Sequence, residues 1–303
     1  MKAQLQPNGT FVLAEYDLFS LLHQPRHNMQ KSLYLTFSLV FLLNFLSAQK
    51  TPFVLGQIDT LHSTILGEPR VLNIYLPPGY SPDSAATYPV IYLLDGGADE
   101  DFIHIAGLVQ FSSFPWVEHL PPSILVGIAN VNRRRDFTYP AATGYQLPDF
   151  AAAYKDTYKV AGGSAKFMAF IEQELQPYVD QQYKTNGQKM LIGQSLAGLF
   201  AVEVLLKKPQ LFNGYVIMSP SLWWDNESLL TQSPVAPLPN TRVYLAVGKE
   251  GKRMVGDAKK LAHLLKPAFS NGQVLFEYLP KEDHGTILHP AVGNAFRWWY
   301  EKK

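Results

Sequence analysis

The sequence predicts a doubly wound α/β domain, in which a mostly parallel central sheet carries helices on both faces. Apolar runs of strand length alternate with helical patterns through most of the chain. The runs 88–94 and 123–128 are apolar almost throughout, which is typical of strands buried on both faces. Several polar residues also follow directly after strands, at the edge where such sheets bind their ligands.

Each element follows from a local pattern in the chain. The predicted strands, apart from the motif treated below, are 54–66, 70–76, 88–94, 123–128, 212–218, 242–247 and 274–279. The predicted helices are 103–111, 166–183, 254–265 and 286–301. The segment 132–163 is polar and contains proline, and it is unusually long for a plain connection, so it is expected to contribute to function.

Composition excludes several classes of function. The 26 basic and 25 acidic residues give a net charge of +1 without a charged block, so neither nucleic acid nor a polyanionic partner is indicated. The absence of cysteine excludes disulfides, thiolate metal sites and a cysteine nucleophile. The sequence contains no metal-ligand constellation and no dinucleotide fingerprint, so no cofactor and no metal are predicted. One domain is expected over residues 52–303, because no linker or internal repeat interrupts it.

The segment 29–48 is interpreted as a secretory signal peptide. Lys31 gives it a positive start, an apolar run of about 14 residues follows, and it ends in Ser47 and Ala48. A membrane anchor is the alternative, but the run is shorter than the roughly 20 residues that span a bilayer. We therefore expect an exported protein, periplasmic or secreted, with no stable membrane anchor. Residues 1–28 are interpreted as an upstream extension that is not part of the fold.

A serine stands in the stretch 189–200, which has the pattern of a buried strand, a sharp turn and an apolar helix start. Gly193-Gln194-Ser195-Leu196-Ala197-Gly198 is typical of a nucleophile elbow, a turn that lifts one hydroxyl above the edge of a sheet. An ordinary Gly/Ser turn is the alternative that this motif alone leaves open.

A serine nucleophile needs a base, and the base needs an acid that orients it. His284 follows the last strand and is the favoured base, with His289 in reserve. Glu250, which follows strand 242–247, is the favoured acid because it lies between serine and histidine in the order usual for this architecture. Asp257 is the alternative acid and Asp225 a less favoured one.

The remaining candidates concern the oxyanion and the substrate. Backbone N–H groups of Leu196 and Gly97 are expected to form the oxyanion hole. Gly96 is the next candidate after Gly97. Trp223 and Trp224 follow a strand and could line an acyl or aryl pocket. Arg135 could bind an anionic substrate, or it could pair with Asp136 and tether the long loop.

The chain resembles the putative-esterase family of α/β-hydrolases, whose members include siderophore-ester and feruloyl esterases. The stretches that match, spread over most of residues 60–295, are Asn73-Ile74-Tyr75-Leu76-Pro77, Tyr88-Pro89-Val90-Ile91-Tyr92-Leu93-Leu94-Asp95-Gly96, Arg135-Asp136-Phe137-Thr138, Glu174-Leu175-Gln176-Pro177-Tyr178, Gly193-Gln194-Ser195 and Asp283-His284-Gly285. Ala197 departs from the glycine that many members have. The resemblance implies an α/β-hydrolase fold and a serine hydrolase acting on a small-molecule carboxylic ester, with Ser195 as nucleophile and His284 as base.

We therefore expect a serine carboxylic-ester hydrolase that works through an acyl-serine intermediate. An acyltransferase or a peptidase on the same fold is one alternative. A non-catalytic binding module on a hydrolase scaffold is the other, although such a module has no need for a serine, an acid and a histidine in order.

Overall fold

The computed structural model describes residues 4–5, 11–12, 34, 51–232, 241–269 and 273–300. The chain divides into two compact units, residues 1–53 and 54–303. The first contains a short antiparallel pair, β1 (Gln4–Leu5) and β2 (Phe11–Val12). Apart from this pair and Tyr34, the predicted extension 1–28 and signal peptide 29–48 lie outside the described residues. Within the described ranges, the helices are all too short or too polar to cross a membrane.

The second unit is built around an eight-stranded sheet with the order β10-β9-β8-β7-β5-β6-β4-β3. Its strands are β3 (Gln57–Ser63), β4 (Glu68–Tyr75), β5 (Tyr88–Leu93), β6 (Ile124–Ile128), β7 (Thr185–Gln194), β8 (Gly214–Met218), β9 (Arg242–Gly248) and β10 (Val274–Leu279). All pairs from β10 to β6 are parallel, whereas β4 pairs antiparallel with both β3 and β6. The predicted mostly parallel sheet is therefore confirmed.

Helices cover both faces of the sheet. They are α1 (Phe102–Ser112), α2 (Arg133–Asp136), α3 (Asp149–Ala152), α4 (Ser164–Phe170), α5 (Gln176–Gln182), α6 (Leu196–Lys207), α7 (Gly251–Leu265) and α8 (Leu288–Tyr300). Two buried clusters separate along β5, where Val90 and Tyr92 join one and Ile91 and Leu93 the other. This alternation follows from the two-residue period of a strand, and it explains why the predicted strand is apolar throughout.

The helix expected over 166–183 is interrupted. A π-helical turn, Ile171–Leu175, separates α4 from α5. Pro177 lies in the first turn of α5 and has no N–H to donate to the preceding turn, so a regular α-helix cannot continue unchanged through this point. The prediction of one continuous helix is wrong in this detail, although the helical segment itself is present.

Candidate active site

Ser195 occupies a strained turn between β7 and α6. Its backbone has φ 61° and ψ −120°, a region that residues with a side chain rarely adopt. A Cβ at Gly193 would lie 2.6 Å from the carbonyl oxygen of Ala197, so the turn requires glycine there. The N–H of Ser195 donates to the carbonyl of Met218 at 3.0 Å, which anchors the turn to β8. This is the geometry expected of a nucleophile elbow.

Glu250 and His284 come together because β9 and β10 are parallel neighbours. Their register pairs Gly248 with Leu279, so the two loops that follow these strands leave the sheet side by side. The N–H of Lys249 donates to the carbonyl of Glu282 at 2.7 Å and joins these loops. Glu250 Oε2 lies 2.5 Å from His284 Nδ1.

The carboxylate of Glu250 is itself held by its neighbours. Its side chain is 5% exposed, and Oε1 accepts hydrogen bonds from the Ser219 hydroxyl and from the Gly248 N–H at 3.0 Å. Burial acts to raise the pKa of Glu250, but the hydrogen bonds from His284 and Ser219 outweigh it and hold the pKa below its usual value. The carboxylate therefore stays ionised and oriented toward His284.

The other acid candidates lie elsewhere. Asp257 is buried on α7, where Lys260 Nζ contacts it at 3.1 Å, and burial raises its pKa. Asp225 Oδ1 accepts the N–H of Ala142 at 2.8 Å. Among the described residues, Glu250 is thus the one candidate acid that contacts His284. The reserve base His289 pairs instead with His104, its Nδ1 lying 2.7 Å from His104 Nε2.

The backbone N–H groups predicted to form the oxyanion hole have different hydrogen-bond acceptors in this structure. Leu196 is the first residue of α6, so its N–H has no acceptor within the helix. Gly96 donates to the carbonyl of Ile128 at 3.0 Å and is committed to a backbone partner. Gly97 instead donates to a side chain, Glu100 Oε2, at 2.8 Å. The sequence pattern gives no indication of this role for Glu100.

A cavity of about 790 Å³ joins these groups. Ser195, Glu250 and His284 line it, together with Ser221, whose hydroxyl lies 3.4 Å from that of Ser195. Its aromatic wall consists of Phe150, Tyr154, Tyr158 and Trp223, and its basic residues are Arg134, Lys249, Lys252 and Arg253.

The two predicted pocket tryptophans have different positions. Trp223 lines the cavity and meets Phe150 edge-on, with ring centroids 5.3 Å apart. Trp224 is not among the residues that line it. Its Nε1 donates to the carbonyl of Tyr139 at 3.0 Å, and its ring stacks on Tyr158 at 5.5 Å. Trp224 therefore supports the aromatic wall from behind.

Arg135 is held in an ion network away from the cavity lining. Its Nη1 lies 3.1 Å from Glu68 Oε2, and its Nε lies 2.7 Å from Asp136 Oδ1. Arg70, which is 1% exposed, pairs with the same Asp136 at 2.8 Å. The tether between the long loop and β4 is therefore the observed arrangement. Arg134 lines the cavity instead, and nothing in the run of three arginines had distinguished it.

Asp95 and Arg133 form an ion pair, the Asp95–Arg133 brace, that the sequence pattern does not indicate. Asp95 follows β5 with a φ of 54°, and its carboxylate receives Arg133 Nε at 2.7 Å and Nη2 at 3.0 Å. The same Nη2 lies 3.3 Å from the carbonyl oxygen of Gln194, the residue before the elbow serine. The guanidinium thereby links the ends of β5 and β7.

Comparison with known proteins agrees with this architecture. The family model described as "Putative esterase" matches residues 63–299. The chain belongs to this family. It is 33% identical over 253 residues to the ferri-bacillibactin esterase BesA of Bacillus subtilis, a match covering 76% of this chain and 85% of that protein.

The fold of this chain is also similar to those of solved structures. An IroE-like serine hydrolase from Shewanella oneidensis superposes with a TM-score of 0.71 at 29% identity, covering 81% of this chain and 80% of that one. The BES protein from Bacillus cereus gives 0.70 at 26% identity, covering 85% and 100%. The expected α/β-hydrolase fold is confirmed, as is the expected class of carboxylic ester hydrolase.

Proposed function

We propose that this esterase cleaves its substrate through an acyl-serine intermediate. Ser195 is the nucleophile, His284 the general base and Glu250 the acid that orients it. The N–H groups of Leu196 and Gly97 hold the oxyanion. The observation that carries the proposal is the 2.5 Å contact between Glu250 Oε2 and His284 Nδ1 on the wall of the cavity that also contains Ser195.

The chemistry follows from these positions. Since Nδ1 of His284 is engaged by Glu250, Nε2 takes the proton as the Ser195 oxygen bonds to the ester carbonyl carbon. The tetrahedral oxyanion then collapses, the alkoxide leaves, and His284 returns the proton to it. Water next attacks the acyl-serine, with His284 again accepting and returning one proton. The products are a carboxylic acid and an alcohol.

A non-catalytic binding module is disfavoured by strain. Ser195 is held at φ 61° between a glycine forced by close contact and the start of α6. Such strain persists only where the surrounding structure imposes it, and it is concentrated at functional sites. A module that merely bound ligands would gain nothing from an exposed hydroxyl in this conformation.

For the substrate we propose an ester within a siderophore. The similarity to a ferri-bacillibactin esterase supports this choice, and the cavity suits it in size and in its aromatic wall. The segment 29–48 supports export of the protein, to the periplasm or the medium.

The test is turnover of a p-nitrophenyl ester series by the wild type, Ser195→Ala and, as a matched control, Ser221→Ala. We expect Ser195→Ala to lose activity by about 10⁴-fold or more, whereas Ser221→Ala keeps most of it. A mass increase of one acyl group on the wild type, absent from Ser195→Ala, would identify the intermediate. Equal rates for the wild type and Ser195→Ala would end the proposal.

The alternatives on the same fold differ in leaving group and acceptor. Adding an alcohol to the assay diverts the acyl group to a new ester if the protein is an acyltransferase. Replacing the ester by the matching amide measures peptidase activity. For an ester hydrolase we expect the free acid as the main product and slow cleavage of the amide.

A further inference from the structure

Three consecutive arginines on α2 have three different environments. Arg133 is paired with Asp95, and Arg135 is paired with Glu68 and Asp136. Arg134 lines the cavity with Ser195, and no ion pair among the described residues includes it. It is therefore the guanidinium of this run whose charge remains available to a ligand.

The guanidinium of Arg134 is fixed in place by aromatic rings. Its Cζ lies 5.2 Å from the ring centroid of Tyr158 and 5.8 Å from that of Tyr154. Its Nε is buried and has no hydrogen-bond partner among the described residues. A ligand in the cavity therefore meets the remainder of the guanidinium, which lines the cavity, rather than this closed-off nitrogen.

The rest of the cavity wall adds positive charge. Lys249 and Lys252 line it without a carboxylate partner in the described part of the chain. The two acids on the wall are already engaged: Glu250 contacts His284, and Asp283 Oδ1 accepts the N–H of Gly285 at 2.8 Å. Asp283 keeps its negative charge, so the wall has four cationic side chains, Arg134, Lys249, Lys252 and Arg253, against two carboxylates, and this excess of positive charge favours an anionic ligand.

We infer that Arg134 is a specificity-determining residue that selects esters carrying a negative charge next to an aromatic group. A planar guanidinium can bind a carboxylate or two adjacent phenolate oxygens through paired N–H donors, and the neighbouring rings accept an aryl group. This inference rests on the proposed function and narrows it to anionic substrates. It also assigns to Arg134 the anion-binding role that the sequence pattern had suggested for Arg135.

Matched ester pairs test the inference. 4-Acetoxybenzoate against phenyl acetate places the charge on the alcohol side, and the mono-4-nitrophenyl ester of glutarate against 4-nitrophenyl valerate places it on the acyl side. The readout is the ratio of kcat/KM for the anionic ester to that for its neutral partner, in the wild type, Arg134→Gln and Arg134→Lys. Lys166→Gln, which removes an exposed charge outside the cavity, is the control for net charge.

We expect Arg134→Gln to lower this ratio by about tenfold or more in at least one pair. Arg134→Lys should recover part of the loss, because it keeps the charge without the planar fork. Lys166→Gln should leave the ratio unchanged. A ratio that Arg134→Gln leaves unaltered in both pairs would overturn the inference while leaving the esterase mechanism intact.

A binding measurement separates this inference from the proposed function. If none of the esters is cleaved, the mechanism fails, and titration with 2-naphthoate still tests Arg134 by calorimetry or by quenching of tryptophan fluorescence. We expect binding to Arg134→Gln to be about tenfold weaker than to the wild type. Equal dissociation constants, with unchanged circular dichroism, would refute the inference.

Discussion

The carboxylate of Glu250 contacts one ring nitrogen of His284 and leaves the other without that partner. Glu250 Oε2 engages His284 Nδ1 at 2.5 Å, while the histidine side chain is 48% exposed and the glutamate side chain 5%. The proton on Nδ1 is therefore donated to the Glu250 carboxylate, and Nε2 is the ring nitrogen that remains to accept a proton. A buried acid and an accessible ring are what a general base at a cavity wall requires.

Glu250→Gln should lower kcat by about 10³- to 10⁴-fold, because an amide cannot stabilise the imidazolium and can favour the wrong tautomer. Steady-state kinetics on a p-nitrophenyl ester measures the loss. Asp257→Asn is the matched control, since Asp257 contacts Lys260 rather than His284, and it should remain close to the wild type. If the two variants exchanged these phenotypes, Asp257 would be the acid.

Ser219→Ala should lower kcat by about tenfold and leave KM nearly unchanged. The Ser219 hydroxyl donates to Glu250 Oε1, so its loss loosens the acid without touching the substrate cavity. Serine and alanine suffer similar strain at the φ of 44° found here, so the backbone cost is matched. A higher KM with normal kcat would assign Ser219 to substrate binding instead.

Glu100→Ala should raise kcat by about 3- to 10-fold. The Glu100 carboxylate accepts the Gly97 N–H at 2.8 Å and is also held by Asn130 Nδ2 at 2.6 Å, so it occupies the donor that the proposed mechanism assigns to the oxyanion. Glu100→Gln keeps an acceptor without the charge and should give a smaller increase. Slower turnover in both variants would mean that Glu100 holds the loop in its active form rather than blocking it.

Breaking the brace at Asp95 should destabilise the fold and slow turnover. The Asp95 and Arg133 side chains are 13% and 33% exposed, so removing one partner leaves a partly buried charge. Arg133→Met is expected to cost roughly 2 kcal/mol in the free energy of unfolding, measured in urea. A double-mutant cycle with Asp95→Asn should give a coupling of similar size. Additive effects of the two substitutions would exclude the brace.

Asp101→Asn should stabilise the protein at pH 8 and have no such effect at pH 3.5. Burial, followed by repulsion from Asp95 and Glu100, raises the pKa of Asp101 from 3.8 to about 6. The folded state holds this proton more tightly than the unfolded state, so wild-type stability is lost as the pH rises from about 3.8 to 6. Asparagine does not ionise and escapes that loss. Equal shifts in thermal midpoint at both pH values would contradict this assignment.

Local patterns in the sequence determined the alternating strands and helices, the mostly parallel sheet and the elbow around Ser195. They could do so because strand and helix periods, glycine at close contacts and chain order are properties of neighbouring residues. The same reasoning favoured Glu250 over Asp257 by its position after a strand, and Glu250 is the acid that contacts His284. The segment 166–183 was predicted as one regular helix because its apolar residues keep helical spacing throughout, whereas Pro177 lies inside that segment and interrupts it.

Only the tertiary structure decided which arginine faces the cavity and what Gly97 donates to. Successive residues on a helix point about 100° apart, so Arg133, Arg134 and Arg135 project toward three different surroundings. Which direction meets Asp95, Glu68 or open space depends on where the sheet places α2. The pattern of three arginines contains no information on that placement. Asp95 lies 38 residues from Arg133 and Glu68 lies 67 residues from Arg135, and several loops contribute to the cavity.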